Sequence, residues 1–204
     1  MRIGIFGGTF NPVHYGHLLL AEASREQRGL DQVWFMPAAV APHKQDQHTA
    51  PAADRLEMLK LAAGGNEAFH VSEIELNRGG VSYTVDTLEA VQSAKPDAEL
   101  YLLIGADTLH DLPNWRNPRR VCELALPTVV GRPGFGPLNY DLLAPFVEPA
   151  RLERIRELRV EMPLIELSSR EIRARVAAGK SIRYQTPRAV EKYIETAKLY
   201  SSTV

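Results

Sequence analysis

His14 and His17 stand three residues apart where an apolar, helix-like stretch begins, just after the glycine pair Gly7-Gly8 and the segment Thr9-Phe10-Asn11-Pro12. Imidazoles at that offset lie on one face of a helix entrance. Backbone N–H groups are exposed there, so the place attracts anions, a nucleoside triphosphate being the obvious one. As metal ligands the two histidines lack a third partner at metal-site spacing, and their offset lets both rings lie on the face that points at a bound phosphate. The glycine pair is neither a Walker A loop nor a dinucleotide fingerprint, and taken alone it reads as a tight turn.

A second group of such residues is Glu166-Leu-Ser-Ser-Arg-Glu-Ile-Arg173. Ser168 and Glu171 have capping-box spacing, which by itself only starts a helix. The same start presents hydroxyl and N–H donors to phosphate, and Arg173 adds a charged fork.

These residues need a frame. Ile3–Phe6 reads as a buried strand, 16–28 as a helix closed by Gly29, and Gln32–Met36 as a second strand, opening a parallel, doubly wound sheet. Further strands are expected at Phe69–Ile74, Leu100–Ile104, Thr128–Val130 and Leu164–Leu167. Helices fit 54–63, 85–94, 118–125, 150–158, 169–178 and 187–197. Asp54 and Glu57 suggest a capping box, with Gly64 closing that helix. Pro37–Ala53 is long for a connection in a compact fold and reads either as a binding loop or lid or as a disordered surface insertion. Gly131–Pro149 reads as an irregular crossover near the sheet edge. Without repeats or linkers, residues 1–204 read as one domain.

Bulk composition narrows the function. The 24 basic and 25 acidic side chains leave a formal charge of -1, so no global attraction to nucleic acid or anionic membrane exists. Any phosphate site must be local. The single cysteine, Cys122, rules out an intramolecular disulfide and a cysteine-rich zinc site, and reads as a small buried apolar residue. No apolar run reaches membrane-spanning length and no signal-peptide pattern opens the chain, so the expectation is a cytoplasmic protein with no membrane or nucleic-acid partner. Arginines after residue 150 alternate with Glu153, Glu157, Glu161 and Glu171 and read as solvated helix faces.

His14-Tyr-Gly-His17 matches the (His/Thr)-x-Gly-His motif of the nucleotidyltransferase superfamily. The eleven residues from Gly7 to His17 resemble the opening of bacterial nicotinate-mononucleotide adenylyltransferases. Glu166–Arg173 is similar to that family's Ile-Ser-Ser-Thr-x-Ile-Arg element and departs from it at Arg170, where a small hydroxyl residue is usual. Pro42-His-Lys44, Ser82-Tyr-Thr-Val-Asp-Thr-Leu88, Gly105-Ala-Asp107 and Trp115 follow in the family's order. The resemblance runs from Ile3 to about Ile194.

It implies a Rossmann-like α/β fold, a doubly wound parallel sheet with helices on both faces. It implies adenylyl transfer from ATP to nicotinate mononucleotide, with Mg2+ entering with ATP and no protein metal site. His14, His17 and Arg173 would be catalytic. Gly7, Gly8, Thr9 and Phe10 would meet ATP from one side, Ser168 and Ser169 from the other, with Gly105 and Asp107 towards its ribose or adenine. Lys44, Tyr83, Thr84 and Trp115 would meet the mononucleotide, although Thr84 is also placed to be an N-cap and an indole is commonly core packing. No nucleophile–base pair is needed, because the attacking phosphate is already anionic.

Two other readings compete. Pantetheine-phosphate adenylyltransferase shares the histidine motif but tends to be shorter, and Pro42–Lys44, Tyr83–Leu88 and Trp115 argue against it. A non-catalytic nucleotide-binding module would not need His14, His17 and Arg173 together. The sequence is silent on acid-versus-amide discrimination and compatible with a homo-oligomer.

Overall fold

Six short strands form one all-parallel sheet in a computed structural model of the chain, which describes residues 1–42, 49–131 and 138–201. The strands are β1 (Arg2–Gly8), β2 (Gln32–Pro37), β3 (Phe69–Val71), β4 (Glu99–Gly105), β5 (Ala125–Gly131) and β6 (Val160–Glu161). Their order is β3-β2-β1-β4-β5-β6. The expected doubly wound parallel sheet is therefore present. Ile3 to Phe6, Leu100 to Ile104 and all of β5 are buried residue after residue. Neighbouring side chains in a strand point to opposite faces, so both faces are covered.

Nine α-helices lie among the described residues. They are α1 (Tyr15–Arg28), α2 (Ala52–Ala63), α3 (Ile74–Arg78), α4 (Thr84–Ala94), α5 (Ala106–Asp111), α6 (Pro118–Leu124), α7 (Pro149–Glu157), α8 (Ser169–Ala177) and α9 (Arg188–Thr196). Gly29 closes α1 in the left-handed region, φ 60°, as the sequence suggests. None of these helices is long and apolar enough to cross a membrane.

The sheet changes direction between β1 and β4. Their pairing runs from Arg2–Glu99 to Ile5–Leu102, yet the strands continue to Gly8 and Gly105. They part beyond Ile5 and Leu102, which opens a crevice at their carboxyl ends. Such a switch point is where open α/β sheets receive ligands.

Several local expectations are corrected. Gly7 and Gly8 are not a turn; they extend β1 and pair with Met36 and Pro37 of β2. The turn begins at Phe10, whose φ is 47°. The strand expected at 69–74 stops at Val71, and Ile74 starts α3. Leu164–Leu167 is not a strand. The sixth strand is Val160–Glu161, paired with Val130–Gly131, and Pro163 beyond it has no N–H to continue a ladder. α2 starts at Ala52 after Pro51 without a side-chain cap, and Asp54 instead accepts from Tyr193 Oη at 2.7 Å. Thr84 is the first residue of α4 rather than its N-cap, which is Tyr83.

Cys122 is fully buried, and burial raises its thiol to about 11. At pH 8 it is therefore a thiol when folded and partly a thiolate when unfolded. A thiol reagent at pH 8 should label the native protein about a hundredfold more slowly than the urea-unfolded chain. Equal rates would contradict the burial of α6 against the sheet.

Candidate active site

The crevice is bordered by Thr9–Val13, which leads from β1 into α1 and contains a cis Asn11–Pro12 peptide. Five carbonyls between Gly8 and Val13 are tied by donors from elsewhere in the chain. Gly8 O accepts from Ala38 N at 2.9 Å, and Thr9 O from Arg55 Nη1 at 3.0 Å. Asn11 O accepts from Arg173 Nη1 at 2.7 Å, Pro12 O from Ser169 Oγ at 2.7 Å, and Val13 O from Thr186 Oγ1 at 2.8 Å. The two motifs, 162 residues apart at Asn11 and Arg173, thus meet in one place.

His14 is buried and caps α1 in an extended conformation. Its ring stacks on that of His17, with centroids 3.7 Å apart and planes 24° apart. The His14 backbone N–H donates to His17 Nδ1 at 3.2 Å. That acceptor role leaves Nε2 as the protonated nitrogen of a neutral His17 ring. Phe10 meets His17 edge-on at 5.1 Å, and Phe6 lies 6.0 Å away. Phe6, Phe10 and Phe35 form one buried aromatic group, so the His17 ring leans on a rigid apolar wall. The motif's glycine also has a reason: a Cβ on Gly16 would stand 3.0 Å from His14 Nδ1.

α8 begins at the same loop. Ser168 caps it by accepting from Glu171 N at 3.1 Å, half of the expected capping box. The Ser169 hydroxyl is engaged on Pro12, and one Arg173 N–H on Asn11. Arg170, where the sequence departs from the family motif, is exposed.

On the far side of the crevice β4 ends at Gly105, and Asp107 is exposed in the first turn of α5. Its Oδ1 lies 2.6 Å from where a Cβ on Gly105 would be, so the carboxylate folds back over that strand end. Tyr83 and Thr84 start α4, held by the Val40–Val81 bridge and by Ala39 N donating to Ser82 Oγ at 3.0 Å. Arg116 sits 4.7 Å from the Tyr83 ring centroid, and its neighbour Trp115 is half-buried against the core. Lys44 lies outside the described residues.

Sequence reasoning missed Arg55. It is 2 % exposed, on α2, and no carboxylate pairs with it among the described residues. Burial lowers its pKa. Its guanidinium instead serves three carbonyls: Thr9 O, Ala50 O at 3.2 Å and Ala39 O at 3.4 Å. One fork thereby joins the histidine loop, the segment after β2 and the approach to α2. Asn11 is a second junction, because its Oδ1 accepts from Ala50 N at 3.2 Å and Tyr200 Oη at 2.6 Å. Burial pushes the Tyr200 hydroxyl up, against the opposing pull of Arg173 and Arg55, so it remains a donor. A charged residue beside Asp54 and Glu57 looks solvent-facing in sequence, and only its i+3 and i+4 spacing to the apolar Met58 and Leu59 hints otherwise.

The cytidylyltransferase-like family model matches residues 5–175. A Thermomicrobium roseum protein described as a probable nicotinate-nucleotide adenylyltransferase is 46 % identical over 200 residues, covering 98 % of this chain and 91 % of its own. The chain belongs to the nicotinate-nucleotide adenylyltransferase family. A Salinibacter ruber family member of the same description is 40 % identical over 203 residues, with both chains fully covered. Among solved structures, Plasmodium falciparum nicotinic acid mononucleotide adenylyltransferase complexed with NaAD superposes with a TM-score of 0.73. It covers 98 % of this chain and 97 % of its own at 15 % identity, a likeness of fold.

Arg55→Lys keeps the charge but replaces a three-carbonyl fork with one ammonium. It should lower unfolding free energy by about 2–4 kcal/mol in urea titrations, because carbonyls are left unpaired in the interior. An unchanged midpoint and slope would show that the ties are dispensable.

Proposed function

We propose that this chain transfers the adenylyl group of ATP to nicotinate mononucleotide, forming nicotinate adenine dinucleotide and pyrophosphate on the way to NAD. The observation that carries the site assignment is the Arg173–Asn11 bond, which brings α8 and the histidine pair to one edge of the β1–β4 crevice. The family relationship carries the choice of reaction.

A phosphate oxygen of the mononucleotide attacks the α-phosphorus of ATP in line. A new P–O bond forms, the bond to the bridging α–β oxygen breaks, and its electrons leave with pyrophosphate. The nucleophile is anionic at neutral pH, so the protein's task is alignment and charge stabilisation. His17 donates from Nε2 to the reacting phosphates, with His14 stacked beside it. Thr9 O is fixed on Arg55, and a trans peptide points its N–H away from its carbonyl, so Phe10 N–H faces away from Arg55 as a backbone donor. Gly7, Gly8 and Thr9 keep backbone within reach of the triphosphate. Ser168, the first turn of α8 and the other N–H groups of Arg173 hold the distal phosphates. Ser169 contributes through the loop it braces.

Gly105 and Asp107 border the nucleoside side. Tyr83, Thr84 and Trp115 receive the pyridine nucleotide, with Lys44 on its phosphate. Mg2+ arriving with ATP supplies further charge neutralisation. Among the described residues no group of three or more His, Cys, Asp or Glu is placed to hold a metal ion.

The test offers Mg2+, ATP and one of nicotinate mononucleotide, nicotinamide mononucleotide or phosphopantetheine, and measures pyrophosphate. Release should be fastest with nicotinate mononucleotide. A preference for phosphopantetheine, or no release at all, would overturn the reading. His17→Ala should keep the fold and lower kcat by about a hundredfold to a thousandfold. Near-normal turnover in the folded variant removes His17 from the chemistry.

A further inference from the structure

We propose that Thr186 is a positioning residue for His17 and acts on it through a single peptide group. Thr186 is 1 % exposed and lies in the turn that precedes α9. Its hydroxyl donates to Val13 O at 2.8 Å, across 173 residues of sequence. Val13 O and the His14 N–H are opposite ends of one peptide unit. That N–H donates to His17 Nδ1 at 3.2 Å. The line therefore runs from Thr186 O–H to the Val13 carbonyl, and from the His14 N–H to His17 Nδ1.

Hydrogen bonds in series polarise one another, so a donor on the carbonyl strengthens the N–H at the other end. A backbone N–H can only donate, and Nδ1 must then accept and leave the ring proton on Nε2. Thr186 thus acts on the tautomer and aim of a ring it does not touch. The next peptide is held by the same turn, because Tyr15 N donates to Gln185 O at 3.1 Å. Both peptide groups flanking His14 are gripped by consecutive residues of one turn. The turn is itself pinned, by Gln185 N on Ile182 O at 3.1 Å and by the burial of Ile182, Val190 and Ile194. Valine has the shape of threonine without its hydroxyl, so packing alone gives no reason for a donor here.

The kinetic part rests on the function proposed above; the spectroscopic part does not. Ring nitrogens of His17 are observed by long-range 15N–1H correlation in the labelled full-length protein at pH 8.5, assigned by the signals lost in H17Q. The wild type should show an unprotonated Nδ1 and a protonated Nε2. T186V should show a mixture of the two tautomers. Its kcat should fall about three- to tenfold, the loss of about one hydrogen bond, with KM for ATP little changed. T186S should restore both signals. If T186V does not fold, T186A replaces it. A wild-type His17 protonated on Nδ1 overturns the proposal, whatever the variants do. So does a T186 variant lacking the hydroxyl but retaining the wild-type spectrum and kcat. Absence of adenylyl transfer by the wild type would count against the proposed function, while the spectra still decide the relay.

Discussion

Everything at the carboxyl edge of the sheet depends on where the carbonyls of Gly8–Val13 point. A segment that runs between β1 and α1 with a left-handed Phe10 does not satisfy its own backbone by helix or sheet bonds. It must find donors elsewhere in the chain. Arg55, Arg173, Ser169 and Thr186 supply them with side chains, and Ala38 with its backbone N–H. These donors come from α2, α8, the turn before α9 and the end of β2. The loop is thus the place where separate layers of the fold are bolted together, and its shape is only as definite as those contacts.

Arg55 shows the energetic character of this arrangement. Isolated buried cations are costly, and most proteins pair them with a carboxylate. Here the compensating dipoles are carbonyls, whose partial charges stay put when a polyanion arrives. A carboxylate partner would add a full negative charge next to the proposed phosphate site, and carbonyls add none. The ordinary ion pairs of the molecule, such as Lys60–Glu73 and Arg25–Glu22, lie at exposed positions where each contributes about 0–1 kcal/mol at most. Stability tied to the site is therefore concentrated in interior hydrogen bonds.

Much of this was legible in the sequence because it is local. The runs around Ile5 and Leu102 announce strands buried on both faces, Gly29 announces the end of α1, and the Gly7–His17 string carries its own chemistry. What escaped is non-local. Arg55 sits among charged helix residues, and nothing nearby reveals that its partners lie 46 residues back at Thr9 and 16 back at Ala39. The glycine pair reads as a turn until β2 is known to lie beside it and draw it into the sheet. Leu164–Leu167 has strand composition, yet Val160–Glu161 reaches β5 first. Ser169 and Arg173 were legible as donors, while their engagement with Pro12 and Asn11 required the fold.

Asn11 has a final consequence in the order in which the chain is made. It is made 189 residues before one of its side-chain partners, Tyr200. The histidine loop gains this contact only after that tyrosine has emerged and docked. Completion of this edge of the fold is thereby coupled to synthesis of the chain as far as Tyr200.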